Sequence, residues 1–307
     1  MQLKTDFLEL LPLREGDAVI LDTDISSDCD DAGALALLIN GCKKNGACLK
    51  AVINDTDNPY ASGAIDAILE YYGVQALIGQ TTDVGFETAD TPINVKYNRH
   101  LTEQFSRRFR EGEPLAAPAR DVYESVLLDS KDGSVVLITI GFLNTAAEAL
   151  RLFPELFARK VRCVVAMAGN FRTPQEPEWN ILRNPRAAKF FFENCPVPIV
   201  FDGFEIGYSF RTGFEHPDPK NPVAVAYELH GGGEGASFDL CAVDMAVHGF
   251  GKDSDWCLSE PFSVKISGEG ALYLEKVKAV PRVFAKFSDK NSMNRIQARM
   301  NDILRNT

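Results

Sequence analysis

The chain has 307 residues, 45% hydrophobic and 24% charged, the proportions of a soluble globular protein. A formal net charge of −11 argues against binding a nucleic-acid backbone, and the short basic pairs in "CKKNG" and "SRRFR" read as solvated helix faces. No apolar run approaches the ~20 residues of a membrane helix, so neither nucleic acid nor membrane is an expected partner.

The N-terminal "MQLKTDFLELLPLREGD" mixes acidic residues with short apolar runs and makes a poor signal peptide. The seven cysteines are scattered and include no C-x-x-C pair, which predicts reduced thiols in a cytoplasmic protein. In chain order, buried strands are predicted at 18–21, 49–53, 135–140, 161–168 and 197–201, from near-continuous apolar runs. Helical periodicity comes next at 31–42, 60–72, 144–153, 185–193 and 240–248. The stretch "HGGGEGASF" (230–238) reads as a mobile glycine-rich loop. Residues 288–306 read as a terminal amphipathic helix capped by Ser288 or Asp289. This alternation predicts an α/β fold: one Rossmann-like domain over 1–307, with an open, largely parallel central sheet and helices on both faces.

Each predicted strand gives way to polar residues. The first leads into Asp22, Asp24, Asp28, Asp30 and Asp31, the second into "NDTDNP", the third into "GFLN", the fourth into "GNFRTPQEPEWN" and the fifth into "DGFE". Ligands of open α/β sheets bind outside the carboxyl ends of the strands, so these segments are expected to converge on one crevice.

Five aspartates within ten residues need protonation, water or a cation. An oxygen-rich cluster without histidine favours Ca²⁺ or Mg²⁺ over zinc. The loop is not an EF-hand, since Ser27 stands where that loop needs glycine and no glutamate closes it. The plainer alternative is a solvated loop whose Asp30 and Asp31 favour the next helix N-terminus. In "EPEWNILRNP", Glu178 and Asn180 suit the vicinal hydroxyls of a polyol, with the aromatic Trp179 between them to pack on an apolar face; taken alone, the segment reads as a loop leading into a helix capped by Asn184, with Pro185 at its first position. Asp239 in "SFDLCAVDMAV" reads, by itself, as an N-cap.

"VILDTDISSDCDDAGALALL" resembles the N-terminal signature of the inosine–uridine preferring nucleoside hydrolases: an apolar strand, Asp-x-Asp, a short loop, Asp-Asp, then Ala-x-Ala-Leu. "AVINDTDN", "VVLITIGFLNTAAEAL", "EWNILRNPRAAKFFF", "SFDLCAV" and the C-terminal "FAKFSDKNSMNRIQARMNDIL" resemble later family segments in the same order, from about residue 17 to the end. The resemblance implies the nucleoside hydrolase fold and Ca²⁺-dependent hydrolysis of the N-glycosidic bond of ribonucleosides or a related ribosyl compound. It implies Asp24, Asp31, Asp239 and the Ile140 carbonyl as metal ligands, and Asp30 as the base that takes a proton from a metal-bound water. It also implies Asn58, Asn170, Glu178 and Asn180 as ribose-binding residues, and a homo-oligomer, dimer or tetramer. Asp22 is expected to hold the loop by accepting backbone hydrogen bonds; Asp28, in a loop two residues longer than the usual signature, has no assigned role.

The chain departs from the family where Phe238 precedes Asp239; purine-cleaving relatives carry a histidine there that assists departure of the base. His100, His216, His230 and His248 all lie outside the matched segments; His230, near in the "HGGGEG" loop, has two readings, a residue that swings into the site and the preferred one of an exposed loop residue, so the group that protonates the base is unassigned. Phe238 and Phe142 are candidates for a platform under the base, or for core. Two other readings stand beside hydrolysis. One is a haloacid-dehalogenase-like Mg²⁺ phosphohydrolase with Asp22 as nucleophile, for which Ser26 replaces the expected Thr or Val. The other is a metal-dependent nucleoside or sugar-binding protein without catalysis.

Overall fold

The computed structural model describes residues 7–26, 28–85, 92–278 and 280–306; Ser27 and the first six residues lie outside them. In chain order the strands are β1 (Ala18–Thr23), β2 (Cys48–Asn54), β3 (Leu77–Gln80), β4 (Ala117–Pro118), β5 (Val135–Thr139), β6 (Val161–Met167), β7 (Ile199–Asp202), β8 (Thr212–Gly213), β9 (Glu234–Gly235), β10 (Trp256–Leu258), β11 (Ser263–Ile266), β12 (Leu272–Glu275) and β13 (Arg282–Phe287). Nine of them form the central sheet, in the order β10-β13-β7-β6-β5-β1-β2-β3-β4. Neighbours are parallel except the edge strand β10, which runs antiparallel to β13.

Alternate side chains of the central strands enter two different cores. Val19 and Leu21 of β1 pack on one face, with the helices Asp30–Asn45, Ala61–Tyr71, Pro222–Gly231 and Phe238–His248. Ala18 and Ile20 pack on the other, with Ala119–Asp129, Asn144–Leu152 and Pro185–Asn194. Burial on both faces is the reason these strands are apolar throughout instead of alternating. The parallel, doubly covered sheet read from the sequence is therefore present.

β1 lies between β2 and β5, and the chain winds away from it in both directions. That is a topological switch point, where adjoining loops diverge and leave a crevice. The helix Asp30–Asn45 starts there and packs closely on Phe238–His248: a Cβ on Gly41 would lie 2.2 Å from Val247 Cγ2. This close approach holds the starts of two helices at one place.

Two local expectations are corrected. The terminal helix spans Ser292–Arg305, because Asp289 and Ser292 are used in a turn before it: Asp289 Oδ1 accepts from Asn291 N, and Ser292 Oγ accepts from Asp289 N. The segment 230–238 is not simply a loop. Its first two residues end the helix Pro222–Gly231, Gly232 comes next at φ 79°, and β9 pairs with β8. The terminal helix is tied to the site-forming helix by a buried carboxylate: Asp244 Oδ2 accepts from Arg299 Nη2 at 2.6 Å and Trp256 Nε1 at 2.8 Å.

Candidate active site

The crevice at the carboxyl ends of β1, β5 and β6 holds a cavity of about 520 Å³. Asp24, Asp28, Asp30, Asp31, Ile140, Glu178, Asn180, Phe238 and Asp239 line it, as the sequence led us to expect for all but Asp28. Asp24 comes directly after β1. Asp30 and Asp31 occupy the first turn of Asp30–Asn45, where the helix dipole favours negative charge. Asp28 Oδ1 accepts from Asp30 N at 3.0 Å, so this residue of the longer loop closes a tight turn that leads into the helix.

Asp239 is not an N-cap. It sits inside the first turn of Phe238–His248, after Ser237, and its backbone N–H donates to Asp30 Oδ2 at 3.0 Å. One carboxylate oxygen from each of Asp24, Asp31 and Asp239 lies within 4.8 Å of the others. All three residues are buried. Burial, reinforced by the charges of Asp31 and Asp24, pushes Asp239 well above the usual carboxylate range. Burial and the charges of Asp24 and Asp28 do the same to Asp31, although Thr23 Oγ1 donates to its Oδ1. A buried set of hard oxygen donors repelling one another in this way fits a divalent cation such as Ca²⁺ or Mg²⁺.

The Ile140 carbonyl is held by the Asn180 side chain, whose Nδ2 donates to Ile140 O and to Met167 O, both at 3.1 Å. Asn180 thereby ties the ends of β5 and β6 together beside the acidic cluster. Glu178 is the N-cap of the short helix Trp179–Arg183 and accepts from Asn180 N (2.8 Å), Gly169 N (3.1 Å) and Ile181 N (3.4 Å). Asn184 and Pro185 open the next helix as read from the sequence.

Burial outweighs those backbone donors and pushes Glu178 up to about 7, from an ordinary value of 4.5. A folded-state pKa raised in this way contributes stability that is complete below about 4.5 and is lost as pH rises through about 7. Glu178→Gln cannot ionise. In metal-free protein its urea-unfolding free energy is expected to fall less than the wild type's between about pH 5 and pH 8, by up to about 3 kcal/mol. Parallel pH profiles for the two proteins would show that Glu178 stays ionised throughout.

Two candidates lie away from the cavity wall. Asn58 is fully buried, but its Oδ1 accepts from Tyr60 N at 2.9 Å and closes a turn. Asn170 Oδ1 accepts from Arg172 N and Thr173 N, again closing a turn. From the segment after β2, Asp55, which no sequence motif singled out, is fully buried behind the cavity wall, against the backbone that follows β5. Its Oδ2 accepts from Phe142 N at 2.6 Å, and a Cβ on Gly141 would stand 2.2 Å from that oxygen and 2.7 Å from Asp24 N. Only glycine permits this approach of β2's carboxylate to the Asp24 backbone.

The Asp22 side chain does not hold the loop through backbone amides: its Oδ2 accepts from Thr145 Oγ1 at 2.5 Å and from Tyr123 OH, which ties β1 to the helices Asn144–Leu152 and Ala119–Asp129. It is fully buried and does not line the cavity, so the nucleophile that the phosphohydrolase reading requires has no access to substrate. Phe142 is fully buried core, whereas Phe238 stacks on Phe204 with centroids 5.2 Å apart at the cavity wall. Trp179, the ring read between Glu178 and Asn180, lines the cavity as well; Met167 and Phe204 also line it and were not anticipated. His230 is corrected as well. It is half-buried, in the last turn of its helix, and lines the same cavity.

Fold and site together define an α/β protein with a carboxylate-lined crevice built for a hard cation and a small ligand at the switch point of its sheet. The family model for inosine-uridine preferring nucleoside hydrolase matches residues 19–212, and the chain belongs to that family. It is 31% identical over 101 residues to the pyrimidine-specific ribonucleoside hydrolase RihB of Escherichia coli O1:K1 / APEC, a match covering 31% of this chain and 32% of that protein. The RihB protein of Escherichia fergusonii matches equally. The chain thus spans about a third of the length of these curated relatives. In fold it is similar to a plant nucleoside hydrolase (TM-score 0.76, 17% identity, covering 95% of this chain and 100% of the other). A purine-preferring ribonucleoside hydrolase from Gardnerella vaginalis is also similar (TM-score 0.70, 18% identity, covering 93% and 98%). The seven cysteines are all free, and among the described residues no helix is long and apolar enough to cross a membrane.

Proposed function

We propose that this protein hydrolyses the N-glycosidic bond of ribonucleosides, or of a closely related ribosyl compound, releasing base and ribose with Ca²⁺ as cofactor. The observation that carries the reading is the buried Asp24–Asp31–Asp239 cluster with Asp30 beside it in one nucleoside-sized cavity. Asp24, Asp31, Asp239 and the Ile140 carbonyl would hold the ion, all as oxygen donors. A bound Ca²⁺ supplies positive charge that anchors the sugar hydroxyls and makes a water more acidic.

Asp30 takes the proton of the attacking water. The Asp239 N–H fixes the Asp30 carboxylate, so the base is oriented before substrate arrives. Glu178 accepts from ribose hydroxyls, and Asn180 keeps the Ile140 carbonyl aimed at the cluster. The carboxylates around the sugar stabilise an oxocarbenium-like transition state. Phe238, backed by Phe204, packs against the base. Attack opposite the departing base inverts the anomeric centre.

Residues 1–307 act as one nucleoside hydrolase-like domain on this reading, since Asp24 and Asp239 meet in one crevice. Free cysteines support a reducing, cytoplasmic setting. The homo-oligomer rests on the family likeness alone. The test is release of reducing sugar from a panel of purine and pyrimidine ribonucleosides by calcium-loaded protein. No turnover, with ribose-dependent thermal stabilisation retained, would leave a binding protein in its place.

A further inference from the structure

Phe238 precedes Asp239, so the element that supplies a proton to the base in purine-cleaving relatives has none to give here. A departing nucleobase is a poor leaving group unless it is protonated as the bond breaks. We infer that His230, from the end of the helix Pro222–Gly231, is the acid that protonates the leaving base in this protein. The inference rests on the hydrolase reading of the same site.

His230 lines the cavity that Asp30, Asp239 and Phe238 line. Its Nδ1 is buried and has no hydrogen-bond partner among the described residues. Buried polar atoms are almost always paired, so an orphaned one in a cavity wall marks a place where a ligand completes the pairing. The ring is also oriented from behind. It meets the Tyr97 ring edge-on, with centroids 6.3 Å apart at 81°. Tyr97 is fully buried, and its OH donates to the Asp28 carbonyl oxygen at 2.6 Å. The longer loop after β1 is thereby coupled to His230 through one tyrosine.

The charges around the ring suit the role. Asp28 from the loop lines the same cavity, with Asp30 and Asp31 from the first turn of the next helix and Asp239 from Phe238–His248. Burial pushes Asp28 up to about 6, and His230 pulls in the opposite direction. Glu178 is the other cavity acid to weigh, but its carboxylate oxygens accept from three backbone N–H groups, which leaves it placed as an acceptor.

Atoms and charges balance in the step. The C1′–N bond breaks and its electron pair goes to the base; an imidazolium N–H of His230 transfers its proton to a nitrogen or oxygen of that base. The water oxygen forms the new C1′–O bond while Asp30 takes one of its protons. Solvent then carries a proton from Asp30 back to His230, so one water is consumed and neither residue is changed.

The experiment compares two substrates. Uridine and inosine need their base protonated; p-nitrophenyl β-D-ribofuranoside releases a phenolate that does not. His230→Ala and His230→Gln are expected to lower kcat on the nucleosides about 10²–10³-fold and on the nitrophenyl riboside less than about threefold. Equal losses on both substrates, or no loss on the nucleosides, would overturn the assignment while leaving the hydrolase reading intact. Wild-type protein that cleaves neither substrate overturns both. His230→Gln keeps the bulk at the helix end, so it separates lost acidity from a disturbed fold.

Discussion

Asp30→Asn is expected to lower ribonucleoside hydrolysis by about 10²–10⁴-fold while the protein stays folded and still responds to calcium. The substitution is close to isosteric. An asparagine Oδ1 still accepts the Asp239 N–H that Asp30 Oδ2 accepts at 3.0 Å, and the Asp30 backbone N–H still meets Asp28. The link between the two helix starts therefore survives, and Asp24, Asp31 and Asp239 keep their places. What disappears is the carboxylate's negative charge and, with it, the ability to take a proton. The loss should fall on kcat, with KM nearly unchanged, because an interaction used only in the transition state is removed. Steady-state reducing-sugar release, paired with thermal unfolding with and without calcium, measures both parts. A loss below about tenfold would move the base elsewhere, and Asp28, in the same cavity, is the next carboxylate to test.

The architecture was legible because its cause is simple. A parallel sheet covered on both faces demands strands apolar on both sides, and the runs at 18–21, 135–140 and 161–168 have that composition. The carboxyl-end rule then placed Asp24, Asp30, Asp31, Ile140 and Glu178 in one crevice without further information. Asp239 needed the resemblance, since its own neighbourhood reads as a helix start and nothing local says that its oxygen faces Asp24 and Asp31.

Errors arose where a side chain's direction depends on strand register or on a neighbouring element. "NDTDN" offers two aspartates and two asparagines. Which of them packs against the segment after β5 is set by where β2 stops pairing, and the register Thr23 with Asn54 puts Asp55 next, against Phe142 N, while Asn58 closes a turn. The best signal was Gly141, a small residue straight after β5, whose missing Cβ makes room for the Asp55 carboxylate. His230 was hidden for a different reason. Its helix, "PVAVAYELHG", is apolar almost all round because it packs among other helices, so it lacks the one-sided periodicity that marks a surface helix. The glycines after it then drew the whole segment into a loop reading. Of the exposed aromatics at the cavity, Trp179 was legible from its place between Glu178 and Asn180, whereas Phe204 is a residue whose place no pattern in the chain specifies.

Calcium added to metal-stripped protein is expected to raise the melting temperature by several degrees, and Asp239→Asn to remove that rise. At a hundredfold excess of free ion over Kd, linkage adds about 2.7 kcal/mol to folding stability. Without the ion, three buried carboxylates face one another, and burial together with mutual repulsion makes their ionised forms costly. Asp239→Asn deletes one of those charges and keeps the shape. In chelator at neutral pH the variant should therefore melt above the wild type, whereas in calcium the order should reverse. An acidic loop that was merely solvated would show neither effect, since its charges would be screened and its removal nearly neutral. The crossing of the two melting temperatures is the diagnostic result, because a structural role for Asp239 would leave the variant below the wild type in both conditions. A series with Ca²⁺, Mg²⁺ and Zn²⁺ in the same assay identifies the ion. The all-oxygen donor set should rank zinc last, and a larger zinc response would overturn the assignment of a hard-cation site.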